Sequence, residues 1–315
     1  MAYSAGDPIL DDEYNVFVNS SSDPFGYNHF AGPGSGVYGL NQSTISTVSA
    51  GDTIAASNWN TLFTGLDNIS NHTNVSITSS SVSAGDTIAI RSALVGDLAN
   101  LAAAVAGGST GATALGTNAV GSSTNSGTWN STSTIERSVT FANNNTMRAF
   151  FNAGGKIRVD PSVVTGIDGD KDTVFNDLTT TAIGNLDIAA AASTRSGSGE
   201  TLTTNGLARG FHDLTDSYQT IIKLTSDNSG YTGNTLEIFA KLNAAVATAT
   251  VITVKMVSTD GADDTTFSSN NLSSVPTNPN EAPRMTMALI EVHPTDAQGL
   301  AAAIQSASNA EVSNS

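Results

Sequence analysis

The sequence predicts an α+β protein in which a small N-terminal helical repeat region precedes an antiparallel β-sandwich. Two patterns carry this prediction. The tetrapeptide SAGD occurs three times within the first ninety residues, and apolar residues follow it at helical spacing. From residue 132 onward, short runs rich in Val, Ile and Thr alternate with turn residues, as in a chain of β-strands. The sandwich is expected to carry one packed helix and to be followed by a short C-terminal helix.

The N-terminal region, residues 1–108, contains the SAGD copies at residues 4–7, 49–52 and 83–86. Gly adopts the unusual φ of a tight turn and Asp binds the backbone just beyond it, so each copy predicts a turn that starts a helix. The apolar face of each helix follows from spacings of three and four residues. These faces comprise Tyr14 in the first unit; Trp59, Leu62, Phe63 and Leu66 in the second; and Leu94, Leu98, Leu101 and Val105 in the third.

The domain boundaries follow from changes in composition along the chain. Residues 109–131 are rich in Gly, Ser, Thr and Asn and predict a linker. Residues 132–294 predict the β-sandwich, in which Met147–Phe151 is expected to be a strand and residues 172–185 the packed helix. Residues 295–315 form an Ala-rich tail whose first part predicts the terminal helix.

Composition and charge exclude several classes of partner and site. Of the 315 residues, 12 are basic and 28 acidic, and the formal net charge of −16 argues against contact with a nucleic acid backbone. The absence of cysteine excludes disulfides, thiolate metal sites and a Cys nucleophile. No signal peptide pattern opens the chain, and no stretch is apolar for long enough to predict a membrane span. We therefore expect neither nucleic acid nor membrane as a partner.

Four segments in the second half of the chain carry a resemblance to a known family. They are AFFNAGGKIRV (Ala149–Val159), DKDTVFNDL (Asp170–Leu178), GFHDLTDSYQTI (Gly210–Ile221) and YTGNTLEIFAKLN (Tyr231–Asn243). In this order they resemble tailed-phage virion structural proteins of the marine cyanophage and myovirus type, which share an FNAGG-x-IR strand–turn–strand and a GF-x-DLT segment. Lys156 stands where that family usually has an acidic residue, and Phe175 where it usually has Trp.

The resemblance implies a non-enzymatic virion structural protein that is assembled in the host cytoplasm and needs no cofactor. A tail or neck appendage, or a fibre-like component, is the expected position; a capsid decoration protein or a receptor- or glycan-binding adhesion module are the alternatives. Particle components occur in many copies under closed symmetry, so we expect a homo-oligomer that contacts other virion proteins. A host surface glycan or receptor is a further candidate partner. A hydrolase would need two carboxylates facing each other across a cleft, and no motif indicates such a pair.

Two groups of side chains are candidates for contact with partners. The apolar helical faces are narrow for an independent core, so they are expected either to dock on neighbouring subunits or the β-domain, or to cover one another. The docking candidates are Tyr14, Trp59, Leu62, Phe63, Leu66, Leu98 and Leu101. In the sandwich, the candidate receptor contacts are Tyr218, Tyr231 and Phe267.

The remaining motifs suggest little chemistry. Asp168, Asp170 and Asp172 alternate like the first ligands of a Ca²⁺ loop, but the Gly and Glu that complete such a loop are missing. A turn that starts a helix is the competing interpretation of these three residues. Residues 34–39 match G-x-G-x-x-G without the flanking strand and helix of a nucleotide site, and so predict a loop. The four histidines lack metal-ligand spacing, and no nucleophile motif is present.

Overall fold

The computed structural model describes residues 11–83, 91–108, 115–164, 169–261, 282–295 and 308–314. The chain forms two compact units. The first carries the N-terminal helices and comprises Met1–Gly116, Asn143–Gly155 and His293–Gln305. The second carries two antiparallel sheets and comprises Thr117–Ala142, Lys156–Val292 and Ser306–Ser315. The predicted α+β class, with helices preceding a β-sandwich, is confirmed.

The helices of the N-terminal region follow the predicted repeat. They are α1 (Asp11–Asn19), α2 (Tyr27–Phe30), α3 (Ala56–Thr73) and α4 (Arg91–Ala106). Helices α1, α3 and α4 come after the three SAGD copies, as predicted, whereas α2 is an additional single turn. Among the described residues, no helix combines the length and the apolar character that crossing a bilayer requires.

The second SAGD copy is a tight turn held by its own first and last residues. The N–H of Asp52 donates to the Ser49 carbonyl, and the N–H of Ser49 donates to Asp52 Oδ2, each over 3.0 Å. Between them, Gly51 has φ +89°, in the left-handed region that favours glycine. The predicted turn is confirmed for this copy. The first copy, and all of the third except Ser83, lie outside the described residues.

Within the helical region, an asparagine side chain joins each of the first two SAGD repeats to the next repeat. Asn15 in α1 donates through Nδ2 to the carbonyl of Val48 over 2.8 Å and accepts the N–H of the same residue at Oδ1 over 2.9 Å. Asn60 in α3 makes the same pair of bonds with Val82, over 2.9 and 2.8 Å. Both valines immediately precede an SAGD copy. The helix of one unit therefore fixes the segment that leads into the next turn.

A second polar side chain binds each of these segments three or four residues before the valine. Asn28 in α2 makes a two-bond pair with the backbone of Ile45, both bonds being 2.8 Å. Asp97 in α4 accepts the N–H groups of Thr78, over 3.0 Å, and Ser79, over 2.8 Å. The two segments belong to no described helix or strand. Side chains therefore satisfy backbone groups that a sheet would otherwise satisfy.

The predicted strand Met147–Phe151 is instead part of helix α5 (Asn144–Asn152), which belongs to the first unit. Asn143 begins this helix because its Oδ1 accepts the N–H of Thr146 over 2.9 Å. The run of three asparagines therefore contains a helix cap, not a turn between strands. The buried apolar side chains recur at i, i+3 and i+4, which is a helical face.

The FNAGG segment ends α5 and leads into a strand. Gly155 donates its N–H to the Phe150 carbonyl over 2.8 Å, and Gly154 donates to the Phe151 carbonyl over 3.0 Å. This pair of bonds is the Schellman arrangement, in which Gly154 takes a left-handed φ of +91°. The expected strand–turn–strand is therefore a helix end, a glycine turn and a strand that begins at Lys156.

The two sheets of the second unit contain eleven described strands. They are β1 (Leu115–Thr124), β2 (Thr132–Thr140), β3 (Lys156–Val164), β4 (Leu186–Ile188), β5 (Ser193–Arg195), β6 (Thr201–Asn205), β7 (Gln219–Thr225), β8 (Thr235–Leu242), β9 (Val251–Thr259), β10 (Arg284–Pro294) and β11 (Ser308–Asn314). One sheet has the order β1-β10-β3-β4-β5 and the other β11-β2-β9-β8-β7-β6. Strand β8 alternates strictly between buried and half-buried side chains, as expected for a sheet with one face in the core.

The domain boundaries differ from the predicted ones. The expected linker, residues 109–131, contains β1, an edge strand hydrogen-bonded to β10. Its sequence shows no strand pattern because only two of its ten side chains are buried. The tail, residues 295–315, contains β11, which pairs with β2. The expected C-terminal helix lies outside the described residues except for Thr295.

The helix predicted over residues 172–185 is confirmed and begins three residues earlier than expected. Helix α6 (Gly169–Asn176) continues as a π-helical segment, Asp177–Ile183, and ends at Gly184 with φ +59°. Phe175, Leu178 and Ile183 are fully buried on this element, which contacts β3, β7 and β8. It is the packed helix of the predicted fold class.

Replacing Asn60, the asparagine that joins the second SAGD repeat to the third, should destabilise the protein. Asn60→Ala removes both bonds to Val82, and we expect the free energy of unfolding to fall by about 2 kcal/mol. Asn68→Ala is the matched control, because Asn68 is exposed on the same helix. Chemical denaturation measures both variants; equal effects of the two substitutions would contradict a special role for Asn60.

Candidate functional site

The docking candidates of the helical region form its interior. Tyr14, Leu62, Leu66, Leu98 and Leu101 are fully buried, and Trp59 and Phe63 retain 2% and 8% of their surface. The ring centroids of Tyr14 and Trp59 lie 5.2 Å apart, and those of Trp59 and Phe63 lie 5.9 Å apart. This corrects the expectation of a docking surface made of these side chains. The alternative, that the apolar faces are covered within the chain, is the observed one.

A different aromatic group is accessible in the same unit. Phe25, His29 and Tyr38 form a triangle in which every pair of ring centroids is 4.7 or 4.8 Å apart, and all three side chains are half-buried. Burial lowers the pKa of His29. We call this group the aromatic triad. Its residues are spaced four and nine apart across a turn and a loop, so no periodic pattern in the sequence marks it.

The loop that carries Tyr38 is the one that matches G-x-G-x-x-G. Gly34, Gly36 and Gly39 all have positive φ, and the residues after Gly39, as far as residue 49, belong to no helix or strand. Gly39 is tied on both sides, because its N–H donates to the Phe30 carbonyl and its carbonyl accepts from Asn152 Nδ2. The predicted loop is confirmed, without the strand and helix of a nucleotide site.

The receptor candidates in the sheets are not open stacking platforms. Lys241 Nζ lies 4.3 Å and Lys255 Nζ 4.0 Å from the centroid of the Tyr218 ring, so ammonium groups already cover it. Burial raises the pKa of Tyr218, and the nearby carboxylate of Glu136 adds to the rise. Tyr231 is buried, with 9% of its surface accessible. Phe267 lies outside the described residues.

The candidate Ca²⁺ ligands do not form a loop over the residues that the structure describes. Asp168 lies outside them, while Asp170 and Asp172 belong to α6. These two positions are therefore helical, whereas the first ligands of a Ca²⁺ loop stand in a loop. The described residues contain no group of three or more His, Asp or Glu side chains that could hold a metal ion.

The residue between these two aspartates makes a buried ion pair. Lys171 Nζ lies 2.7 Å from Asp260 Oδ2, and each side chain is only 2% exposed. The backbone around Asp260 is fixed, because its N–H donates to the Ser131 carbonyl and the N–H of Gly261 donates to Asn234 Oδ1, each over 3.0 Å. No sequence pattern marks this pair, because its members lie 89 residues apart.

The GF-x-DLT segment serves the fold. A side chain at Gly210 would collide with the backbone of residues 190–192, which lies 2.5 Å from the position of a Cβ atom. Phe211 is fully buried, and Asp213 Oδ2 accepts the N–H of Gly210 over 3.1 Å. The segment therefore supplies a close backbone contact, a core residue and a cap for the single 3₁₀ turn Phe211–Asp213.

One of the four histidines, His72, has a pKa far below its ordinary value. His72 in α3 is fully buried, and burial lowers its pKa to about 4, although a hydrogen bond with the backbone of Ala153 opposes this shift. The imidazole is therefore neutral at physiological pH. It is part of the packing of the first unit.

Comparison of the chain with family models, with curated proteins and with solved structures finds no match.

The lowered pKa of His72 makes stability depend on pH. Between pH 6.5 and 4 the unfolded chain binds a proton at this residue and the folded chain does not, so the free energy of unfolding falls as the pH falls. From pH 6.5 to 5 we expect a loss of about 1.5 kcal/mol from this group. Denaturation of wild type and His72→Gln over this range measures it; the variant should show the smaller pH dependence, and equal slopes would contradict the assignment.

Proposed function

We propose that this chain is a non-enzymatic structural protein of a tailed-phage virion and that it belongs to a tail or neck appendage. The observation that carries the proposal is the ordered set of four family-like segments. In the structure these segments supply a Schellman turn, the packed helix α6, a close backbone contact and the central strand β8. Residues that build a scaffold are what a family of particle components would have in common.

The chemistry of the surface supports the same class of protein. The net charge of −16 disfavours contact with the nucleic acid that a particle encloses. We propose a homo-oligomer that contacts other virion proteins, because particle components are repeated under closed symmetry.

The aromatic triad is the docking surface that we propose in place of the buried helical faces. Clustered aromatic side chains supply much of the binding energy at protein interfaces because they bury large areas at a small cost in conformational entropy. Phe25, His29 and Tyr38 are half-buried in the isolated chain and so keep surface to bury against a second virion protein.

The location of the chain in purified particles tests the function. Particles from an infected culture are banded by density, and their proteins are quantified by mass spectrometry. We expect the chain in a fixed ratio to the other particle proteins, with antibody label at the neck or tail in electron micrographs. Label over the whole head would support the capsid decoration alternative, and recovery only in the unbanded fraction would contradict a virion role.

Substitution in the aromatic triad tests the docking surface. Tyr38→Ser removes one ring, and we expect incorporation of the variant into particles to fall several-fold because a central aromatic contact is lost. Val164→Ser is the control, since Val164 is an exposed apolar residue of the other unit. Circular dichroism checks that both variants fold. Equal incorporation of Tyr38→Ser and wild type would contradict docking through the triad.

A further inference from the structure

The Lys171–Asp260 pair is unusual in its environment. Both side chains are 2% exposed, whereas the ion pair of the same chemistry between Lys223 and Glu237 leaves 33% and 18% of its side chains accessible. Removing two charges from water costs several kcal/mol per ion, and the attraction between them repays this only when other hydrogen bonds complete the shell. Asp260 Oδ1 is buried and accepts no hydrogen bond from a described residue. The carboxylate is therefore only half satisfied as an ion.

The same geometry holds a nucleophile against an electrophile. Because Oδ2 is bonded to Cγ, a distance of 2.7 Å from Nζ to Oδ2 places the amine nitrogen within about 4 Å of the carboxyl carbon. Reacting atoms in near-attack arrangements lie about 3–3.5 Å apart, and fixing them in this way replaces a very high concentration of free reactants. The hydrogen bonds around Asp260 hold its carbon in place. Burial excludes the water that would reverse the reaction.

We propose that Lys171 and Asp260 react with each other to form an intramolecular amide (isopeptide) bond. In the first step a proton passes from the Lys171 ammonium to Oδ2 of Asp260, which gives a neutral amine and a neutral carboxylic acid. Nζ then attacks Cγ and the hydroxyl group leaves with a proton from the nitrogen, as water. One C–N bond forms, one C–O bond breaks, and no oxidant or reductant is needed.

The bond would tie α6 to the residue directly after β9, across 89 positions of the chain. Strand β9 lies between β2 and β8 in the six-stranded sheet. A covalent link that closes a long loop stabilises mainly by restricting the unfolded chain, as a disulfide does. The chain has no cysteine, so this link is a way to obtain such a constraint without sulfur.

One competing reaction gives the same change in mass. Asp260 is followed by Gly261, and an Asp-Gly sequence can lose water by attack of the glycine nitrogen to form a succinimide. In the structure this N–H is engaged by Asn234 Oδ1, which holds it away from the carboxyl group. A test must nevertheless separate the two products.

Mass spectrometry of the full-length chain under denaturing conditions makes this separation. We expect the wild-type mass to be lower than the sequence mass by one water, and proteolysis to yield a branched peptide that joins the segments around Lys171 and Asp260. Hydroxylamine, which opens succinimides, should leave the deficit unchanged. The Lys223→Arg control should keep the deficit, and Lys171→Arg should show the full mass.

Two results would overturn the proposal. One is a wild-type chain that keeps its full mass after prolonged incubation in the folded state. The other is a deficit that persists in Lys171→Arg or disappears with hydroxylamine, because either finding assigns the lost water to the succinimide. The branched peptide is sought in the wild-type protein, so the test stands even if Lys171→Arg does not fold.

Discussion

The backbone outside the sheets sets the constraint on which the first unit depends, because every N–H and C=O withdrawn from water must find a partner. The segments before the second and third SAGD copies belong to no described strand, and asparagine amides bind their backbone groups instead. An Asn side chain carries a donor and an acceptor spaced like a peptide group, so Asn15 can bind both polar groups of Val48 at once. Asp97 can only accept, and it therefore collects two N–H groups instead. Through these contacts the position of each helical unit follows from the unit before it.

The sequence predicts elements that depend on neighbouring residues, but not contacts between residues that are far apart in the chain. The helices after each SAGD copy were predictable because a turn and a spacing of three to four residues lie within one short window. The role of Asn60 was not, since its partner lies 22 residues away and the amide looks like any exposed polar residue. The prediction of a strand where helix α5 lies is wrong for a related reason. Asn143 can begin either a turn or a helix, and its bond with the N–H of Thr146, which selects the helix, is visible only in the folded structure.

The candidate sites show the same division. The apolar helical faces were identified correctly as faces, but a sequence does not say whether an apolar face is covered by its own chain or by another. In the aspartate-rich stretch, the alternation of carboxylates suggests metal binding, whereas the structure buries Lys171 together with Asp172. Strand β1 escaped notice because an edge strand needs few buried side chains when its neighbour supplies the hydrogen bonds.

The charges of the second unit argue that burial, and not pairing, is what distinguishes Lys171. Arg158 and Asp187 form a two-pronged pair between β3 and β4, yet the arginine side chain keeps 28% of its surface in water. Because the arginine stays partly in water, this pair avoids much of the cost of desolvation. A pair without water is different, because breaking it strands a charge while replacing it with apolar groups is often neutral. The presence of a buried lysine and aspartate at these positions therefore needs a physical reason. A reaction that removes both charges and joins α6 to the end of β9 provides such a reason, whereas an unreacted ion pair does not.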